Sequence, residues 1–325
     1  MNMKWIEAPL FKTRITSANV KPTEMLLGYL IGPFCALISN AIFGSYLNRY
    51  YSDVLVWTDT SRFGNFSALL PILSVICVII GNLVVGRLMD STKTTQGKAR
   101  PYLILSAPLL AVAIITLFVV PKQAAPAMQM VWIAVSYNLY YSVAYPLYYT
   151  AHSSLVALST RSSNDRGLLS TFSNASGVAA VGIGASILVP MLLQNFLFVP
   201  NADGSINADA SYTNWRVVMV VLCVITAIGI LIEYYFSRER ITEESLKMPV
   251  EEKKIPMSKQ IKVCMSNKYW WIIILYFLLF QLGGLVKNGS MNYYCTWVFE
   301  GIDSGTAMGL LGAIGGIPTA IGMVL

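Results

Sequence analysis

The stretch GRLMDSTKTTQGKARP, Gly86 to Pro101, sets one acid and four basic residues between two long apolar runs. Gly86 and Asp90 close the run before it. Gly97, Lys98, Arg100 and Pro101 open the run after it. Such a turn is expected where two oily helices re-emerge into water. An acid at a membrane boundary can pair with a base or cap a helix N-terminus across the gap, and a glycine lets a neighbouring backbone come close. On charge alone the stretch also reads as an ordinary turn, basic for topology.

The rest of the chain agrees with a membrane setting. It has 325 residues, 55% hydrophobic and 12% charged, with a mean hydropathy of +0.59. A soluble domain carries about 25% charged residues. Cys35, Cys77, Cys223, Cys264 and Cys295 lie scattered, without the paired spacing of a zinc site or a disulfide framework. They read as apolar packing residues. No metal and no cofactor is expected. The first 24 residues are mixed polar and charged, so no cleavable signal peptide is read there.

A helix needs about 20 apolar residues to cross a bilayer core. Charge-free runs of that order occupy 25–48, 63–86, 101–121, 123–160, 167–202, 217–232, 269–286 and 304–325. Eight transmembrane helices are therefore expected in an all-α membrane protein. With the N-terminus inside, the inner segments hold 18 Lys and Arg and the outer ones four, Arg49, Arg62, Lys122 and Arg216. The positive-inside rule places the N-terminus in the cytoplasm. It also accounts for the net charge of +7 without nucleic acid. The runs divide into six helices over 1–240, a charged linker at 241–268 and two helices over 269–325. Six, a linker, then two reads as an interrupted six-plus-six, so the chain is expected to be incomplete at its C-terminal end.

The order of residues in Gly86–Pro101 resembles the loop between helices 2 and 3 of the major facilitator superfamily. It is most similar to the longer form in the glycoside–pentoside–hexuronide:cation symporter family. SYLNRYYSDV (45–54), SLVALSTRSSNDRGLLSTF (154–172) and NYYCTWV (292–298) resemble that family's helix 1 end, helix 4–5 loop and helix 7. The likeness covers about residues 25–325. It implies a fold of two six-helix bundles, twelve helices in all, rocking about a central cavity. It also implies that Gly86, Asp90, Lys98 and Arg100, with Asp165 and Arg166, belong to the cytoplasmic gate. The chain departs from cation-coupled members where they carry membrane-embedded aspartates. Leu37, Val78, Asn82 and Tyr149 stand at those positions, and Asn174 replaces a helix 5 arginine. A sodium site of the family's kind, which would need hard oxygen ligands, is put in doubt. Coupling by H+ or by Na+ through other residues stays open.

Asn138, Tyr141, Tyr145, Tyr149 and His152 are spaced 3, 4, 4 and 3 apart in helix 4, one helical face. Phenols and an amide suit a polyhydroxylated ligand, the rings stacking and the polar groups exchanging hydrogen bonds. The alternative is packing. Asn40 in helix 1 is a further cavity amide, and Asn174 joins it as a candidate. His152 is the only histidine and a coupling candidate, as is Asn82. Lys287, far into helix 7, is expected to bind an anionic group such as a uronate, or else to snorkel to the interface. Glu233 is read as a boundary acid at the inner end of helix 6. The expected function is a secondary active transporter of a sugar, glycoside or sugar acid in the plasma membrane, expected to be a monomer in the lipid bilayer. A lipid or lysolipid carrier and a transport-dead sensor are the alternatives. One histidine and no pair of intramembrane carboxylates argue against an enzyme.

Overall fold

The computed structural model describes residues 8–55, 57, 60–92, 94–202, 205–247, 256–299 and 301–324. Among them the architecture is helical, with one isolated bridge, Pro200 to Ile206. Helix α1 spans Glu24–Val54. Then follow α2 (Thr60–Asp90), α3 (Arg100–Phe118), α4 (Pro126–Asn138 through Leu139–Ala144 into Tyr145–Ser159), α5 (Ser163–Ala179 through Ala180–Leu193 into Gln194–Leu197) and α6 (Ala208–Tyr235). Two short helices, α7 (Arg240–Lys247) and α8 (Met257–Ser266), lie within the charged segment. Helices α9 (Lys268–Trp297) and α10 (Ser304–Val324) close the chain.

Six helices among the described residues are long and apolar enough to cross a membrane: α1, α2, α3, α5, α6 and α9. The long α4 and α10 stand beside them. The membrane setting explains which residues face out. Ile72, Leu73, Ile76, Ile79 and Ile80 of α2 are exposed, as a surface against lipid tails demands. Association in such a solvent relies on close van der Waals packing rather than on hiding oil from water.

That packing centres on α6, which lies most extensively against α3 and α1. Glycines permit it. A Cβ on Gly229 would sit 2.6 Å from both the Gly32 carbonyl oxygen and Cys35 Cβ, and one on Gly32 would sit 2.8 Å from the Glu233 nitrogen. Gly81 of α2 meets the Ser142 carbonyl of α4 in the same way. Gly86 does not: a Cβ there would meet nothing within 4 Å. The end of the bundle remote from the Gly86–Pro101 loop is closed by aromatic rings. Trp215 stacks on Phe118 with centroids 5.3 Å apart, and Tyr50 and Phe198 flank it at 5.5 and 5.6 Å.

Four segments are wound as π-helix: Glu24–Ile31, Tyr50–Val54, Leu139–Ala144 and Ala180–Leu193. The last of these carries α10 against it. Gly305, Gly309 and Gly312 of α10 face Gln194 and Pro190, Met191 and Ser186 there.

The glycine crossing of α1 and α6 gives a stability prediction. Gly229→Val forces the two backbones apart and should destabilise the protein by about 1–3 kcal/mol, read as a lower melting temperature in detergent. Gly44→Ala, where a Cβ meets nothing within 4 Å, should leave it unchanged.

Candidate functional site

A cavity of about 440 Å³ opens between α1, α4 and α5, within the range of small-ligand pockets, about 300–1,000 Å³. Its polar lining is Asn40 from α1, Tyr145, Tyr149, His152 and Ser153 from α4, and Arg166, Ser170, Ser173 and Asn174 from α5. Leu37, Ala41, Val156, Ala157, Gly177, Ala180 and Val181 complete the wall.

Local structure decides which tyrosines arrive there. An α-helix turns about 100° per residue, so a π-helical turn rotates whatever follows it out of line with what precedes it. The turn at Leu139–Ala144 separates Asn138 and Tyr141 from the lower part of the stripe. Asn138 bonds within its own helix, donating to the Ala134 carbonyl at 2.9 Å and accepting from Ser142 Oγ at 3.1 Å. Tyr141 packs on Tyr137 and Tyr140, at 4.5 and 4.8 Å between centroids. Tyr145 and Tyr149 do line the cavity. Their rings stack, 5.4 Å apart at 14°, and present a flat apolar face. The Asn40 carbonyl accepts from Tyr140 Oη at 3.3 Å, and Asn40 also lines the cavity.

Behind this wall lies a group that sequence reasoning misplaced. Glu233 is fully buried and is no boundary acid. One carboxylate oxygen is 2.7 Å from His152 Nδ1, and the other accepts from Tyr148 Oη at 2.8 Å. His152 Nε2 faces Ser173 Oγ at 3.0 Å. Glu233 is buried by α1 and α4: Gly32 comes so close that a Cβ there would sit 2.9 Å from Glu233 Cβ, and Tyr148 and His152 cover the carboxylate. Thr13 Oγ1 donates to the Ser237 carbonyl at 2.8 Å and Arg14 N to the Tyr235 carbonyl at 2.9 Å, so the end of α6 is covered instead of emerging into water. The available signal was Tyr148 and His152 one helical turn apart, opposite a lone acid in an apolar run.

The other sequence candidates sit elsewhere. Asn82 is exposed on α2 and donates to its own helix, to the Val78 carbonyl at 2.8 Å. Lys287 is exposed on α9 and does not line the cavity. At the end of the bundle that carries the Gly86–Pro101 loop the organising acid is Glu239. Its carboxylate accepts from the backbone N–H groups of Lys98, Ala99 and Arg100 at 2.8, 2.8 and 2.7 Å, and from Thr242 Oγ1 at 2.9 Å. It thus caps α3 where the helix dipole favours an anion. Gly97 has φ of +111° and no room for a Cβ beside that carboxylate, so glycine alone suits the turn.

Arg100 turns inward, donating to the Tyr234 carbonyl at 2.9 Å and to Gln96 Oε1 at 2.7 Å. Arg240 grips Glu24 through two contacts of 3.0 and 2.7 Å. Asp90 is exposed, and among the described residues no ion pair holds Asp90, Lys98 or Asp165. Arg166 reaches the cavity, its Nη2 donating to the Arg161 carbonyl at 3.3 Å.

Known proteins resemble this chain along most of its length. A family model described as MFS/sugar transport protein matches residues 28–325. The isoprimeverose transporter of Lactiplantibacillus pentosus is 25% identical over 283 residues, 85% of this chain and 53% of the relative. The uncharacterized symporter YjmB of Bacillus subtilis (strain 168) is 23% identical over 260 residues, 79% of this chain and 51% of the relative. The uncharacterized symporter YnaJ of the same organism is 22% identical over 307 residues, 92% and 60%. The chain spans about half the length of the curated relatives it matches.

The Glu239 clasp yields a graded prediction. Glu239→Ala strands three N–H groups and should cost about 1–3 kcal/mol. Glu244→Ala removes only the pair with Arg161, whose side chains are 58% and 70% exposed, worth about 0–1 kcal/mol. Thermal unfolding of the two variants side by side should rank them in that order, and equal losses would show that Glu239 is no clasp.

Proposed function

The chain belongs to the MFS/sugar transport protein family, and we propose that it is the sugar-handling part of a secondary active transporter for a glycoside or short oligosaccharide. The observation that carries this reading is the stacked Tyr145–Tyr149 face together with Asn40 and Asn174 in one cavity. A sugar ring offers apolar C–H faces to the aromatic rings, while its equatorial hydroxyls meet amide, serine and arginine groups. No bond is made or broken. The work is recognition and passage.

Under this reading the protein is a multi-pass membrane protein working in the plasma membrane with its N-terminus cytoplasmic, as the distribution of Lys and Arg supports. Alternating access would rock this bundle against a second one, with a cation moving in step with the sugar. The relatives' names support both halves of the proposal, since one is a transporter of isoprimeverose and two are called symporters. Arg166 on the cavity wall extends the acceptable cargo to sugar acids, the role expected of Lys287 from the sequence. A lipid carrier would need a greasy wall and a lysine at a phosphate. The phenols, amides and hydroxyls of this cavity, and the distance of Lys287 from its lining, do not favour it.

Isoprimeverose is the first probe. Its binding to the purified protein, read by quenching of tryptophan fluorescence or by thermal shift, should weaken about tenfold in Tyr149→Ala, equivalent to about 1.4 kcal/mol. Tyr141→Ala, outside the cavity, should bind as the parent does. If neither neutral sugars nor uronates bind the parent chain, the proposal fails.

A further inference from the structure

We infer that the buried His152–Glu233 pair is a proton-binding site loaded from the cavity through His152 Nε2, and that its proton is the coupling ion. The second half of this inference rests on the sugar-carrier reading; the first half does not.

An ionised carboxylate can only accept hydrogen bonds. Glu233 takes one from Tyr148 Oη at 2.8 Å, so the 2.7 Å contact to His152 puts the imidazole hydrogen on Nδ1. The basic nitrogen is then Nε2, 3.0 Å from Ser173 Oγ. His152 and Ser173 line the cavity, whereas Glu233 and Tyr148 lie behind it. A proton arriving on a cavity water is transferred to Nε2: one O–H bond of that hydronium breaks and one N–H bond forms. Ser173 Oγ changes from donor to acceptor, and Glu233 stays ionised. The pair passes from a net charge of minus one to neutral, and no electron is transferred.

The surroundings make that change consequential. Glu233 has no exposure and His152 has 4%. Among the described residues no Lys or Arg pairs with Glu233; the neighbouring Glu24 has Arg240, and Glu239 has the α3 N-terminus. The imidazole is therefore the only available countercharge. Tyr29 of α1, bonded to Ser159 of α4, lies within electrostatic reach of Glu233, Glu24 and Glu239. Tyr149 of α4 stands 6.1 Å from the imidazole, and Arg166 of α5 shares the cavity. Unloading the proton leaves Glu233 with its two hydrogen bonds but no countercharge, a costly state for a buried carboxylate between α4 and α6. A sodium ion fits poorly, because it wants several free oxygens and both oxygens of Glu233 are engaged, one by a nitrogen.

His152 is the sole histidine, so protein labelled with nitrogen-15 histidine gives the two ring-nitrogen resonances of a single imidazole. Titration of the labelled protein in lipid nanodiscs between about pH 5 and 8 should convert Nε2 from acceptor to protonated while Nδ1 keeps its hydrogen. The titration curve should change in Glu233→Gln, where the countercharge is gone. An imidazole that keeps one protonation state, or that titrates identically in Glu233→Gln, overturns the site. For coupling, proteoliposomes are tested with isoprimeverose in counterflow and under an imposed proton gradient. The ratio of gradient-driven accumulation to counterflow should fall at least tenfold in both Glu233→Gln and His152→Gln. Counterflow in the parent without gradient-driven accumulation overturns proton coupling and leaves the sugar reading standing. Absence of counterflow with every sugar ends the sugar reading and the coupling claim with it, and the proton site then stands or falls on the imidazole titration alone.

Discussion

Burying a carboxylate costs several kcal/mol unless both of its oxygens find partners, and this bundle meets that demand three times. Glu24, Glu233 and Glu239 are each at most 1% exposed. Each finds a different solution. Glu24 takes the fork of Arg240, a bidentate geometry suited to a carboxylate. Glu239 takes the first N–H groups of α3. Glu233 takes a phenol and an imidazole. The helices cannot be placed independently of these solutions. Arg240 binds the chain beyond α6 to α1, and Glu239 binds it to α3. Glu233 fixes α6 to α4 in the register that the glycine crossings of α1 and α6 allow.

The three acids differ in what they make possible. Two are satisfied by groups that keep their protons at any ordinary pH, a guanidinium and backbone amides, and so they hold. The third is satisfied by a phenol and an imidazole, and an imidazole has a second nitrogen that can take a proton. It also stands directly behind the cavity wall. The pairs with fixed donors thus lie beside the Gly86–Pro101 loop, and the one that includes an imidazole lies beside the cavity. The tyrosine pair that offers a stacking face belongs to the same helix as the imidazole, Tyr149 and His152 being less than one turn apart. A ligand on that face and a proton on that ring share one rod.

Much of the helix order was legible, because oily runs and their charged borders are set by the bilayer and need no tertiary knowledge. Asn40, Tyr145, Tyr149, His152 and Asn174 were legible as a cavity group for a simple reason: polar side chains in such runs have few other places to go. Asn138 and Tyr141 were not, since a straight 3.6-residue period carries no warning of the π-helical turn at Leu139–Ala144. Glu233 was misread because its burial comes from Gly32, Tyr148 and His152, contacts more than 80 residues apart in sequence. Glu239 was hidden for a similar reason. The loop Gly86–Pro101 advertises Asp90 as its acid, while the carboxylate that finishes α3 comes from far along the chain.

The seam between α5 and α10 adds one more property. Gly305, Gly309 and Gly312 lie against the π-helical stretch of α5, and the side-chain bond that reaches α10 from α1 is the weak one from Tyr46 Oη to Met308 Sδ at 3.9 Å. At each of these three glycines an atom of α5 stands within 2.6 Å of where a Cβ would sit. The seam is therefore held by closeness of approach, and even a methyl group added there would wedge the two helices apart.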